Sequence, residues 1–256
     1  MLAEMASEMN VGVMIFTESH LREEIRDGEI EVENYEIFRV DRKEFRNGGI
    51  IAYVQINLNL GVKNLFSLSY SKIETLILRL DKINTILIAV YRPPDTALID
   101  FLHVLMKIKE VLEINSGLQH TIILTGDFNM PNINWATGCI NGGTIDLQNQ
   151  AEALMNFAHE FYMEQCVHKP TRGVNILDLF FTNNEEMLLN IEVHPPTILS
   201  DHQFIVVSTS YDNQNLSPGP IAEEGIESLN FTDNQTNWAE IDSSIESIEL
   251  TGWPFL

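Results

Sequence analysis

Two cysteines, no long apolar run and a shortage of cationic side chains set the first limits on this chain of 256 residues. Cys139 and Cys166 can form at most one bridge and show no CxxC spacing, which excludes a disulfide scaffold and gives no support to a structural zinc site. They read as ordinary thiols. No stretch approaches the roughly 18 to 20 consecutive apolar residues of a membrane helix, and the opening MLAEMASEMN lacks the basic flank and apolar core of a signal peptide. A soluble intracellular protein, not secreted, is expected. Lys and Arg number 15 against 37 Asp and Glu, a formal charge of −22, opposite in sign to the footprint of a nucleic-acid binder. Three classes remain open: a cation-binding enzyme, a weak nucleic-acid binder, or a module whose partner is not a polyanion.

What is present is enough to bury a sizeable core, with 45% hydrophobic residues arranged as one large domain or two small ones. The best boundary follows Tyr211. From there DNQNLSPGP reads as a linker, and the tail to Leu256 holds nine acids and no Lys or Arg. Residues 1–211 are therefore expected to form the domain and 212–256 an acidic linker or tail. Within that tail Trp238, Ile241, Ile245 and Ile248 fall at helical spacing, which predicts one short helix.

Between Val11 and Ser210 the apolar runs are short, β-branched and separated by turn residues: VGVMIFT, EIFRV, GGIIAYVQI, IETLILRL, TILIAVY, TIILTGDF, ILDLFFT and DHQFIVVSTS. Two longer stretches have helical periodicity. One carries Phe101, Leu105, Ile108 and Leu112, the other Leu154, Phe157, Ala158 and Phe161. The pattern predicts an α/β fold of two mixed β-sheets packed face to face and flanked by helices.

Four places could carry chemistry. In TIILTGDFNMP, Asp127 and Asn129 project the same way from an extended segment, a carboxylate for water or metal beside an amide donor; the same residues equally read as a tight turn. In LSDHQFIVV, Asp201 and His202 precede a buried strand, where a histidine near a carboxylate can move a proton or stabilise negative charge. Glu18 ends the run VGVMIFTE, the end of a strand where hard cations find oxygen ligands, or a solvated loop acid. Asp178 sits within NILDLFFT, and an acid flanked by apolar residues demands a partner, for which His202 is a candidate. Thr171 and Arg172 in KPTRG, with Tyr91 and Arg92 in AVYRPP, could contact phosphate or snorkel at a sheet edge.

The order of these pieces is more specific than any one of them. Glu18, GGIIAYV, VYRPP, GDFN, PTRG with LDLFFT, and SDH together resemble the endonuclease domain of non-LTR (LINE-type) retrotransposons, within the exonuclease/endonuclease/phosphatase superfamily. The resemblance spans roughly Asn10 to Ser210, and the tail LNFTDNQTNWAEIDSSIESIELTGW looks like the segment leading towards a reverse transcriptase. It implies a four-layer α/β/β/α sandwich and metal-dependent phosphodiester hydrolysis on DNA. Glu18 would be the Mg²⁺ or Mn²⁺ ligand, and Asp201 would match a further metal-site carboxylate. Asp127 would orient and deprotonate the attacking water, Asn129 would bind the scissile phosphate, and His202 paired with Asp178 would stabilise the phosphorane. Tyr91 would contact the phosphate, Thr171 would lie near the DNA backbone, and Arg92 and Arg172 would be the cations nearest the motifs. A reverse transcriptase region in a longer parent protein, and a nuclear location for a chain active on chromosomal DNA, follow from the same resemblance; the lack of a long apolar run already speaks against a membrane partner.

Two departures stand against it. The resemblance implies a first strand and helix ahead of the Glu18 strand, yet only MLAEMASEMN precedes it, so the fold is expected to be truncated by about one strand, with weakened metal binding. Between Val111 and Ser210 only Lys169 and Arg172 are basic against eleven acids, although DNA affinity rests largely on cations. A DNA endonuclease leads, a catalytically inactive retrotransposon remnant that binds at most other proteins is second, and a phosphatase or phosphodiesterase of the same fold is third.

Overall fold

The structure, a computed structural model, describes residues 11–43, 47–117, 119–196, 200–210 and 245–252. Two six-stranded mixed sheets dominate it. The first runs in the order β12 (Leu188–His194), β13 (Phe204–Ser210), β14 (Ile245–Gly252), β1 (Val13–Thr17), β3 (Ile50–Gln55), β2 (Tyr35–Val40). The second runs β10 (Glu164–Gln165), β11 (Asp178–Thr182), β7 (Thr121–Asp127), β6 (Thr85–Tyr91), β5 (Ile73–Leu80), β4 (Val62–Tyr70). A small hairpin, β8 (Ile133–Asn134) and β9 (Cys139–Ile140), follows β7. All eight apolar runs contribute strands.

The sheets pack because their strands alternate. In β6, Leu87, Ala89 and Tyr91 enter the core between the sheets, while Ile86, Ile88 and Val90 face the other way. Val13 and Ile15 of β1, with Ile50, Ala52 and Val54 of β3, meet Leu76, Leu78, Ile123 and Phe180 in that central core. The outer face of the second sheet is covered by α1 (Leu98–Asn115) and α2 (Ile145–Glu160), through Phe101, Leu105, Ile108 and Leu112 of one and Leu154, Phe157 and Ala158 of the other. β6 and β7 are parallel, so the chain must cross over between them, and α1 is that crossover. On the first sheet's outer face, Met14, Phe16, Ile51 and Tyr53 pack with Leu21, Ile25, Ile30 and Val32 of the connection from β1 to β2.

The expectation for the tail is corrected. Ile245–Gly252 forms a strand where a helix was predicted through Ile245 and Ile248; Trp238, Ile241 and the linker 212–244 lie outside the described residues. This strand pairs parallel with β1, Ile15 opposite Leu250, and antiparallel with β13, Ile205 opposite Leu250. β1 therefore has hydrogen-bonded neighbours on both sides, which removes the exposed ladder expected beside it.

Candidate active site

One row of side chains crosses the second sheet at one end. Glu74 is the register partner of Tyr91, Tyr91 of Asp127, and Asp127 of Asp178, so β5, β6, β7 and β11 each place one polar residue in line. Glu74, Asp127 and Asp178 are buried, and so is Tyr91. Polar groups this deep require partners.

Asp127 is served by the turn that follows it. The Asn129 backbone N–H donates to its Oδ1 at 3.0 Å, and the Asn129 amide Nδ2 donates to its Oδ2 at 2.7 Å. Asn129 holds a left-handed φ of 48°, and its Nδ2 also donates to the Arg92 carbonyl at 3.1 Å. Ahead of Asp127, Gly126 has φ +128° and lies so close to β6 that a Cβ would stand 2.0 Å from the Val90 carbonyl oxygen. Only glycine fits there. Arg92, expected at the substrate, is instead completely buried: Nε donates to Gln150 Oε1 at 2.8 Å and Nη1 to the Phe128 carbonyl at 2.9 Å. It braces the back of the Asp127–Asn129 turn.

Asp178 and His202 form a buried pair, with 2.9 Å between Oδ2 and Nδ1. Desolvation alone would lower the imidazole's pKa, but the hydrogen bond and charge of Asp178 outweigh it and push His202 up to about 9. Asp127 is driven well above the usual carboxylate range, first by desolvation and then by the neighbouring Asp178 charge. Thr171, expected at the DNA backbone, is also fully buried. Its Oγ1 accepts from the backbone N–H groups of Leu177 and Asp178 at 2.9 and 3.0 Å, and its carbonyl accepts from Gln203 N–H at 2.7 Å. Thr171 thus ties the start of β11 to the segment carrying His202.

Glu18 comes from the opposite sheet, just after β1, and its carboxylate accepts the Tyr91 hydroxyl hydrogen. Burial, then the Glu18 charge, raise the Tyr91 phenol above its ordinary pKa, so it stays a donor. Asp201 lies apart from the buried group: its side chain is 64% exposed and accepts both Nε and Nη2 of Arg172, at 2.9 and 2.6 Å. The structure thus brings Glu18, Tyr91, Asp127, Asn129, Asp178 and His202 together, and leaves Asp201 and Arg172 as a surface ion pair.

Asp127, Asp178 and His202 each offer a ligand atom, all within 4.8 Å of one another. Glu18 adds a carboxylate whose charge Asp127 senses. Carboxylate oxygens are the donors that hard divalent cations prefer, so the residues fit a cation of that kind.

Three residues of the site escaped the sequence reading: Arg42, Glu74 and Gln150. Glu74 carried a usable signal, since in IETLILRL it is an acid beside an apolar run, as Asp178 is. The two cysteines are free, and burial pushes the Cys166 thiol up to about 12.

The fold is similar to that of exonuclease/endonuclease/phosphatase domains. Residues 85–206 match the sequence family described as Endonuclease-reverse transcriptase, in line with the resemblance to non-LTR retrotransposon endonucleases. The fold is similar to that of the AP endonuclease LMAP from Leishmania major (TM-score 0.58, 13% identity, 79% of each chain covered). It is also similar to the endonuclease domain of TRAS1, a telomere-specific non-LTR retrotransposon (TM-score 0.53, 17% identity, 79% of this chain and 87% of that one). A third likeness is to the 3′ phosphatase NExo from Neisseria, solved with a product DNA hairpin (TM-score 0.57, 11% identity, 82% and 93% covered). No curated protein sequence matches the chain. The family match and the fold support a nuclease or phosphatase of this class. Among the described residues no helix is long and apolar enough to cross a membrane.

Proposed function

We propose that this protein is a divalent-metal-dependent DNA endonuclease that nicks target DNA, as a retrotransposon endonuclease would. The observation that carries this reading is the Asp127, Asn129, Asp178 and His202 cluster, in which β7, with the turn after it, and β11 of one sheet supply the acids and amide, the segment entering β13 of the other supplies His202, and Glu18 faces them from the end of β1. Phosphodiester hydrolysis needs a base for water and positive charge or donors at the non-bridging oxygens. Asp127 is the base. Desolvation raises its proton affinity towards the working range, and Asn129 fixes the orientation of both its oxygens. His202 stays protonated at neutral pH through Asp178 and places its charge where the phosphorane develops.

A bound Mg²⁺ or Mn²⁺, held by Glu18, would supply Lewis-acid neutralisation of the phosphate. Tyr91 orients Glu18 by its hydrogen bond and presents a phenol at the same place. Asn129 acts chiefly through Asp127, since its amide already donates to Asp127 and to the Arg92 carbonyl.

Weak affinity for DNA is part of this reading. Many of the basic residues are paired with acids on the surface, among them Lys63 and Arg79 with Asp81, Lys109 with Glu160, and Arg172 with Asp201. Supercoiled-plasmid nicking by purified protein in Mg²⁺ and Mn²⁺ tests the proposal. Metal-dependent nicking lost in Asp127→Ala and His202→Ala is expected. Folded protein that does not nick plasmid would establish the inactive remnant instead, and hydrolysis of simple phosphomonoesters without nicking would establish a phosphatase.

A further inference from the structure

Arg42 reaches the site from the connection between β2 and β3. Its guanidinium makes a two-pronged contact with Glu74, Nε to Oε1 at 2.7 Å and Nη2 to Oε2 at 2.9 Å, and Nη2 also donates to the Lys72 carbonyl. Glu74 is fully buried and further held by the Gly49 N–H at 3.1 Å and the Ser69 hydroxyl at 3.2 Å. With its carboxylate fixed, the guanidinium has one place to lie, and its central carbon sits 5.3 Å from the centroid of the Tyr91 ring. That is within the roughly 6 Å over which a cation is attracted to an aromatic face. Gly48 makes room for it: at its φ of +93° a Cβ would stand 2.2 Å from the Arg42 Cζ.

We propose that Arg42, clamped by Glu74, is a positioning residue that holds the Tyr91 ring so that its hydroxyl points at Glu18. This rests on the endonuclease reading of the site. A direct phosphate contact by Arg42 is disfavoured, because its side chain is only 7% exposed and its fork is occupied by Glu74. The chain Glu74, Arg42, Tyr91, Glu18 runs from the far end of the polar row to the carboxylate of the opposite sheet. Glu74 needs the partner as much as Tyr91 does, since desolvation raises its pKa and the Arg42 contact opposes that rise.

The test is a double-mutant cycle on the full chain with Arg42→Met, Arg42→Lys, Tyr91→Phe and the Arg42→Met/Tyr91→Phe pair, each checked for folding by circular dichroism. Tyr91→Phe and Arg42→Met are each expected to lower kcat for nicking by about tenfold or more with KM little changed, and the double variant is expected to be no slower than the worse single. Arg42→Lys should recover part of the loss, because it keeps a cation over the ring. Multiplicative losses, or full activity in folded Arg42→Met, would overturn the proposal. The second readout needs no turnover: in protein carrying ¹³C-labelled tyrosine, the Tyr91 ring signal, assigned by its loss in Tyr91→Phe, should shift in Arg42→Met and less in Arg42→Lys. If the wild-type chain does not nick at all, the endonuclease reading fails, and an unmoved Tyr91 signal then rejects the positioning role while a moved one retains it.

Discussion

Asp127 and Asp178 are register partners in adjacent antiparallel strands, two buried acids side by side, and the imidazole of His202 lies against the second of them. Burial, and then the Asp178 charge beside it, raise the cost of ionising Asp127. A histidinium is the cheapest local remedy, and the raised pKa of His202 is its signature.

The first prediction is a titration. His202 should lose its proton near pH 9 in the folded protein, followed by ¹H–¹⁵N NMR of its ring, and Asp178→Asn should lower that midpoint. Because the folded value lies above the ordinary 6.5, the linked stability is fully present below about pH 6.5 and is lost as pH rises through about 9. That contribution is on the order of 3 kcal/mol. Urea midpoints between pH 6 and about 9.5 should fall for the wild type and be flatter for His202→Gln.

Gly126 should be intolerant of any side chain. Gly126→Ala must place a methyl against the Val90 carbonyl and adopt a positive φ, so a loss of about 3 kcal/mol or more is expected in chemical denaturation. A folded, equally stable alanine variant would mean that β6 and β7 can separate at no cost.

Thr171 acts through two backbone donors. Thr171→Val keeps its shape but leaves the Leu177 and Asp178 N–H groups without their acceptor, costing roughly 2 to 4 kcal/mol. Thr171→Ser should restore most of it. Equal stability of all three proteins would remove Thr171 from the account of how Asp178 meets His202.

Arg92 should behave as a buried brace. Arg92→Met would strand Gln150 and the Phe128 carbonyl and destabilise the fold by about 3 kcal/mol, while leaving the salt dependence of DNA binding unchanged in the remaining folded protein. A shallower salt slope would show instead that Arg92 reaches phosphate.

β14 occupies an interior position of its sheet, so a proline there removes a ladder donor between two neighbours. Ile248→Pro should release protection of the β1 and β13 amides together in hydrogen exchange. Unchanged protection in both strands would dissociate the tail from the sheet.

An element is legible in the sequence only where its signal is local. β4 is not legible because it is an edge strand with a largely half-exposed, polar sequence, NLFSLSY; β12, LLNIEVH, is an edge strand too, with no buried residue to mark an inward face. β14 was misread: its isoleucines fall at a spacing that serves a helix, and only the open ladders of β1 and β13 select a strand. Among the site residues, Asp178 was readable because an acid in an apolar strand demands a partner. Arg92 and Thr171 were not, since the same residue types serve a phosphate outside or a backbone carbonyl or N–H inside.

The strand alternation, the two helices and the ordered set of acids, amide and histidine are written in the chain, because burial period and residue chemistry are local properties. Which of them meet is settled by packing. The line from Glu74 to Asp178 exists through strand register, the Glu18 to Tyr91 contact through the packing of one sheet on the other, and the burial of Arg92 through helix α2. Each depends on residues dozens of positions apart, and no local pattern encodes that distance.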